Sequence, residues 1–246
     1  MNASASDESH EVDAAMLLKA SARYDLIFKV ALAKAWADGD AAEIRAAEEA
    51  YLEMVRSRNG FYEAEPFRDS PEDFIESFRK TATSIRERGY DKTKPAIPVD
   101  GGGELLNGAH RLAACFAYGK KCLVVCSDLY PAGGSVHKTF VKGHIHRAVE
   151  NWGIRKYLDL LPDGKLAAVF GDKENYPALS FPSWRCRNIM AFPFKIVPAL
   201  KVIWYSFLLW TRSGERREKM KRRILREKKK ISGFSALARY WEERKD

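Results

Sequence analysis

The chain is poor in the residues that make disulfide frameworks or thiol metal sites. Its four cysteines, Cys115, Cys122, Cys126 and Cys186, include no Cys-x-x-Cys pair. Reduced structural thiols, and with them a cytoplasmic setting, are the expectation. The N-terminal stretch MNASASDESHEVDAAM lacks both a basic n-region and an apolar h-region, which argues against a cleaved signal peptide. No internal repeat is present, so a solenoid is excluded. An uninterrupted apolar run is missing too. The longest candidate, NIMAFPFKIVPALKVIWYSFLLW (188–210), holds Pro193, Lys195, Pro198 and Lys201. A lysine near the bilayer centre costs roughly 2.5–3.5 kcal/mol and proline breaks the helix, so this segment is not expected to span a membrane.

What is present is basic charge, unevenly placed. The 246 residues carry 42 Lys/Arg against 33 Asp/Glu, a net charge of +9. Residues 211–230, TRSGERREKMKRRILREKKK, hold eleven Lys/Arg against three Glu, which accounts for +8 of it. Such a segment argues for a partner bearing phosphates. Directly after the apolar 188–210 run, it predicts an amphipathic region lying on an anionic membrane surface, at about 1 kcal/mol per Lys/Arg. The alternatives are a core helix followed by a solvated basic helix, and binding to a nucleic-acid backbone. The latter is less favoured, because aromatics are sparse in the run and no base-reading module is apparent.

The hydrophobic pattern divides the chain into five regions. Residues 1–13 read as a disordered tail. Residues 14–59 read as a helical pair, the first helix running from Asp13 to about Trp36 and the second capped by Asp40 with Glu43. Residues 60–130 interleave helices and strands as an α+β core. Ser70, Pro71, Asp73 and Gly89 bracket a helix that buries Phe74, Phe78 and Ile85. A strand at 95–99, a DGGGE turn, a short strand at 105–106, a helix closed by Gly119 and a strand KKCLVVCSD follow. Residues 131–187 extend this core with a helix over about 142–161, and 188–246 are apolar and then basic.

The chemistry concentrates in IPVDGGGELLNGAHR (97–111). Gly108 strips bulk from a strand-to-helix turn, the first-turn N–H groups of Ala109, His110 and Arg111 point outward, and Arg111 can chelate phosphate oxygens. The order FIESFRKTATSIRERGYDKTKPAIPVDGGGELLNGAHRLAACFAYGKKCLVV resembles the ParB N-terminal/sulfiredoxin-like superfamily over about residues 60–130, with Asn107-Gly108-Ala109-His110-Arg111 as its specific motif. The resemblance implies a small mixed sheet and a nucleotide phosphate, from ATP or another nucleotide with Mg²⁺, at the N-terminus of the motif helix. Ala109 stands where the sulfiredoxins have a cysteine, which removes their nucleophile. One Arg in the motif, and no helix-turn-helix after it, separate the chain from the DNA-segregation branch. The free-serine-kinase type is nearest, although Asn107 replaces its aspartate.

That branch implies a glutamate ahead of the long helix as base, Glu65 by spacing with Glu63 close by, while Asn107, His110 and Arg111 hold nucleotide phosphate and Asn107 can also orient a hydroxyl. Asp128, with Asp100 or Glu104, is the candidate Mg²⁺ ligand set, and Lys138 and Lys142 are candidates for phosphate. Each of these also has an ordinary reading as a solvated loop or strand-end residue. His146 and Glu150 share a helix face, but a third metal ligand is not in sight. Trp184, Arg185 and Arg187 suit a sugar or phosphorylated acceptor. The function expected is a nucleotide-dependent kinase acting on a hydroxyl of a small molecule or glycan intermediate, peripheral on the inner face of the cell membrane. The alternatives are a non-catalytic ParB-like nucleic-acid-binding protein and a peripheral membrane adaptor.

Overall fold

The computed structural model describes residues 9–64, 66–127, 145–176, 199–206 and 214–242. The architecture is mixed α+β and mostly helical, with one three-stranded and one two-stranded sheet. The chain divides into two compact units: Met1–Tyr51, Glu76–His137 and Arg147–Leu179 form the first, and Leu52–Ile75, Lys138–His146 and Ser180–Asp246 the second.

In the first unit the sheet has the order β1-β5-β4. Strand β4 (Ile97–Val99) runs parallel to β5 (Lys121–Cys126), and β1 (His10–Asp13) pairs antiparallel on the other side of β5, with His10 opposite Val124 and Asp13 opposite Lys121. The expected tail thus includes an ordered edge strand at its end. Backbone pairing with β5 supplies what the polar sequence HEVD cannot supply by burial. Asp13 then caps helix α1 (Ala14–Ala20), its Oδ1 accepting from the N–H of Ala15 at 2.7 Å.

Where one helix was expected over 13–36, the chain breaks at Ser21 and restarts as α2 (Leu26–Asp38). Glu104 provides the reason. Its Oε1 accepts from the Ser21 hydroxyl at 2.7 Å and from the Ala22 N–H at 2.8 Å, so these groups bond across the unit instead of along a helix. Asp25, fully buried, is charge-balanced by Lys29 at 2.6 Å and Arg23 at 3.0 Å. Helix α2 is apolar on nearly all sides and forms the centre of this core. Helix α6 (Arg147–Leu160) crosses it so closely that a Cβ on Gly153 would lie 2.7 Å from a Phe28 ring carbon.

Helix α3 (Ala41–Asn59) opens as its sequence predicts, with the Glu43 N–H on Asp40 Oδ1 at 2.8 Å. Helix α4 (Pro71–Arg88) has a reciprocal cap: the Asp73 N–H bonds the Ser70 hydroxyl and the Ser70 N–H bonds the Asp73 carboxylate, both at 3.2 Å. Phe74, Phe78 and Ile85 are buried along it, and Gly89 ends it at φ +74°. After β4, the expected strand at 105–106 reduces to a single bridge between Val99 and Leu105. Helix α5 (Ala109–Ala117) leads into β5, and α7 (Lys165–Phe170) follows α6.

In the second unit a two-residue hairpin pairs β2 (Glu63–Ala64) with β3 (Phe67–Arg68). Arg56 is fully buried and held in a two-pronged bond by Glu53, both contacts at 2.7 Å. The long basic helix α8 (Gly214–Glu242) passes Gly60 so tightly that a Cβ on Gly233 would come within 2.9 Å of it.

Candidate functional site

Helix α5 carries the motif, and its rotation sorts the residues. Successive helical side chains point about 100° apart, and His110 and Arg111 take different directions. His110 turns toward an aromatic cluster, its ring 4.4 Å from that of Phe78 and a ring nitrogen 3.0 Å from the Tyr51 hydroxyl. Ala109 is buried. Arg111 takes the other direction. Its Nη1 donates to the Tyr90 hydroxyl at 2.6 Å and to the carbonyl of Pro95, and its guanidinium lies 5.8 Å from the Tyr90 ring centre. The Tyr90 hydroxyl itself donates to the Pro95 carbonyl at 2.8 Å. Burial keeps the Tyr90 phenol above its ordinary value, against the lowering pull of the Arg111 guanidinium, so it is neutral at physiological pH.

Gly108 explains itself here. It sits at φ +83°, and a Cβ on it would stand 3.0 Å from Arg111 Nη2 and 3.3 Å from Ile97 Cγ1. The glycine therefore does two things: it makes the left-handed turn into α5 and leaves room for the guanidinium across it.

Arg111 lines a cavity of about 410 Å³ with Lys80, Thr81, Ser84, Ile85, Tyr90, Asp91, Lys94 and Pro95. Three cations and three hydroxyls thus converge on one concavity whose remaining lining includes Ile85, Pro95 and the Tyr90 ring. Lys80 also pairs with Glu76 at 2.6 Å, but both are exposed, and such a pair is worth about 0–1 kcal/mol and yields readily to a ligand. Asp91 accepts from the Thr93 hydroxyl at 2.7 Å and from the Thr93 N–H at 2.9 Å, and these bonds hold its carboxyl below the usual range. It stays charged and suits a ligand hydroxyl or a phosphate-bound cation.

The other candidates from the sequence are placed differently. Asn107 accepts from the N–H of its neighbour Gly108 at 2.7 Å. Asp100 is spent on its own turn, accepting from Gly102 at 2.9 Å and Glu104 at 2.8 Å, while the Glu104 carboxylate reaches Ser21 and Ala22. Asp100 and Glu104, two of the carboxylates expected at Mg²⁺, are thus engaged in hydrogen bonds of their own, and no group of three His, Cys, Asp or Glu suited to a metal occurs among the described residues. Glu63 pairs with Arg68, and Glu150 accepts from Tyr24 at 2.5 Å. Cys115 and Cys122 are buried free thiols. Glu65, Asp128, Lys138, Lys142, Trp184, Arg185, Cys186 and Arg187 lie outside the described residues.

Sequence reasoning found Arg111 but missed Lys80, Thr81, Ser84, Tyr90, Asp91 and Lys94. Two signals were available: the polar spacing of 80, 81 and 84 on one side of α4, and the segment GYDKTKP ahead of β4. Comparison with protein-family models, with curated proteins and with solved structures gives no match to this chain.

Proposed function

We propose that the Arg111 cavity binds the phosphates of a nucleotide or of another phosphorylated small molecule. The observation that carries this reading is the convergence of Arg111, Lys80 and Lys94 with the Thr81, Ser84 and Tyr90 hydroxyls on one concavity. Phosphate recognition needs a fixed guanidinium for two-pronged contact, mobile ammonium groups for the outer oxygens and a neutral donor, for which the Ser84 hydroxyl is the candidate, since Tyr90 and Thr81 donate to the Pro95 and Ser77 carbonyls. The apolar lining suits a flat ring, and Asp91 suits a ribose or acceptor hydroxyl.

The finer reading is a kinase of the ParB/sulfiredoxin-like type, using ATP or another nucleotide with Mg²⁺ and an alcohol acceptor on a small molecule or glycan intermediate. Its support is the resemblance around Asn107–Arg111, with Arg111 now at a cavity. Asn107 and Asp100 are engaged in their own turns, so these two residues supply no base, and a binding module without turnover is the second reading.

A thermal-denaturation panel separates the cases: nucleoside triphosphates, inorganic tripolyphosphate and sugar phosphates, each with and without Mg²⁺. A ligand at 100 times its Kd adds about 2.7 kcal/mol of stability, which for a chain of this size raises Tm by roughly 5–10 °C. The expected result is a shift with phosphorylated ligands that Arg111→Ala abolishes. Phosphate transfer to an alcohol in a following acceptor screen supports the kinase. A shift without transfer supports the binding module, and no shift with any phosphorylated ligand rejects the site.

A further inference from the structure

Arg111 is anchored by neutral groups alone. A guanidinium has five N–H donors, and the two on Nη1 go to the Tyr90 hydroxyl, at 2.6 Å, and to the Pro95 carbonyl. Among the described residues no carboxylate pairs with Arg111, and its Nε and Nη2 make no hydrogen bond. Arg23, Arg56 and Arg79, by contrast, are paired with Asp25 at 3.0 Å, Glu53 at 2.7 Å and Glu48 at 2.6 Å. A half-buried guanidinium held by a hydroxyl and a carbonyl keeps its whole charge for an anion from outside.

The anchor is itself held in place. Gly89 leaves α4 at φ +74°, and the Tyr90 hydroxyl donates back to the Pro95 carbonyl at 2.8 Å. Between these two residues, Asp91 accepts from the Thr93 N–H at 2.9 Å through its side chain and from the Lys94 N–H at 3.0 Å through its carbonyl. The 90–95 segment is therefore a closed turn. Lys92 also ties it to strand β1 through Glu11 at 2.8 Å. The Tyr90 proton is spent on Pro95 and a lone pair on Arg111, so this hydroxyl has no hydrogen left to give a ligand.

We propose that Tyr90 is a positioning residue for Arg111: with the Pro95 carbonyl it fixes Nη1, so that the Nε–Nη2 edge meets two oxygens of one phosphate side-on. This rests on the phosphate reading of the cavity and adds to it a residue that acts without touching the ligand. An arginine loses much rotamer freedom when it grips an anion, and a guanidinium fixed beforehand has less to lose. Gly108 serves the same arrangement, since a Cβ there would stand 3.0 Å from Nη2, the nitrogen on the presented edge.

A double-mutant cycle tests this on the full chain: parent, Tyr90→Phe, Arg111→Ala and the two combined. Each is titrated with inorganic tripolyphosphate and Mg²⁺, to millimolar ligand so that weak binding stays measurable. Tyr90→Phe keeps the ring and removes only the hydroxyl, and circular dichroism checks the folding of every variant. Tyr90→Phe is expected to weaken binding about three- to tenfold in the parent background and by less than about twofold in the Arg111→Ala background, because the hydroxyl acts through the guanidinium. A merely structural role, or direct contact with the ligand, weakens both backgrounds alike, and that result overturns the proposal. Binding unchanged by Tyr90→Phe but weakened by Arg111→Ala overturns it too, while leaving the phosphate site standing. A parent chain that binds no tripolyphosphate rejects the phosphate site and this inference together.

Discussion

Gly108 and Arg111 are coupled through space as well as through sequence. The glycine's φ of +83° and the 3.0 Å separation between its would-be Cβ and Arg111 Nη2 make it hard to replace. Gly108→Ala is expected to cost about 1–2 kcal/mol from the left-handed backbone alone. It is also expected to weaken phosphate binding by displacing the guanidinium, and the two effects are read by denaturant unfolding and by ligand titration. Tyr24 offers a test at high pH. Burial, and then the Glu150 carboxylate it bonds, hold its phenol far above the ordinary value of 10.0. A raised folded-state pKa means this contribution is fully present below pH 10 and is lost as pH rises beyond that, because the unfolded chain ionises first. Stability is therefore expected to fall above about pH 10, with a shallower fall in Tyr24→Phe, which a pH series of Tm values measures. At this scale the sequence revealed Arg111 but not the direction of His110. That direction depends on Phe78 and Tyr51, which are remote along the chain.

Among the elements, the helices with local signals were readable in advance. Ser70, Pro71, Asp73 and Gly89 bracket α4 because capping is a bond between near neighbours. The break at Ser21–Asp25 and the strand at His10–Asp13 were not readable, since Glu104 and β5 cause them from a distance. The same distinction applies to Gly153, a residue that looks like an ordinary helix weakness. Its place against Phe28 and Ile27 predicts that Gly153→Ala, despite better helix propensity, destabilises by about 1–3 kcal/mol through overpacking. Gly164→Ala, where the nearest would-be contact is 3.5 Å, is the milder control, and thermal unfolding compares them.

At the scale of the whole molecule, the +9 charge and the two units divide the labour differently. The α+β class, the expected core strands at β4 and β5 and the basic C-terminal helix were legible, because pattern and composition report them directly. The cavity was not. It is assembled from α4, the 90–95 segment and α5, and only folding brings those cations together. This cavity, lined in part by Arg111, is the proposed phosphate site. Calorimetric titration of inorganic tripolyphosphate with Mg²⁺ into the parent chain, Arg111→Ala and Lys221→Ala tests it most directly. Lys221 lies on α8, outside the cavity lining, and is the control for general basicity. The expected result is saturable binding that Arg111→Ala weakens about 10- to 100-fold and that Lys221→Ala leaves unchanged. Binding untouched by Arg111→Ala and lowered by Lys221→Ala would contradict it.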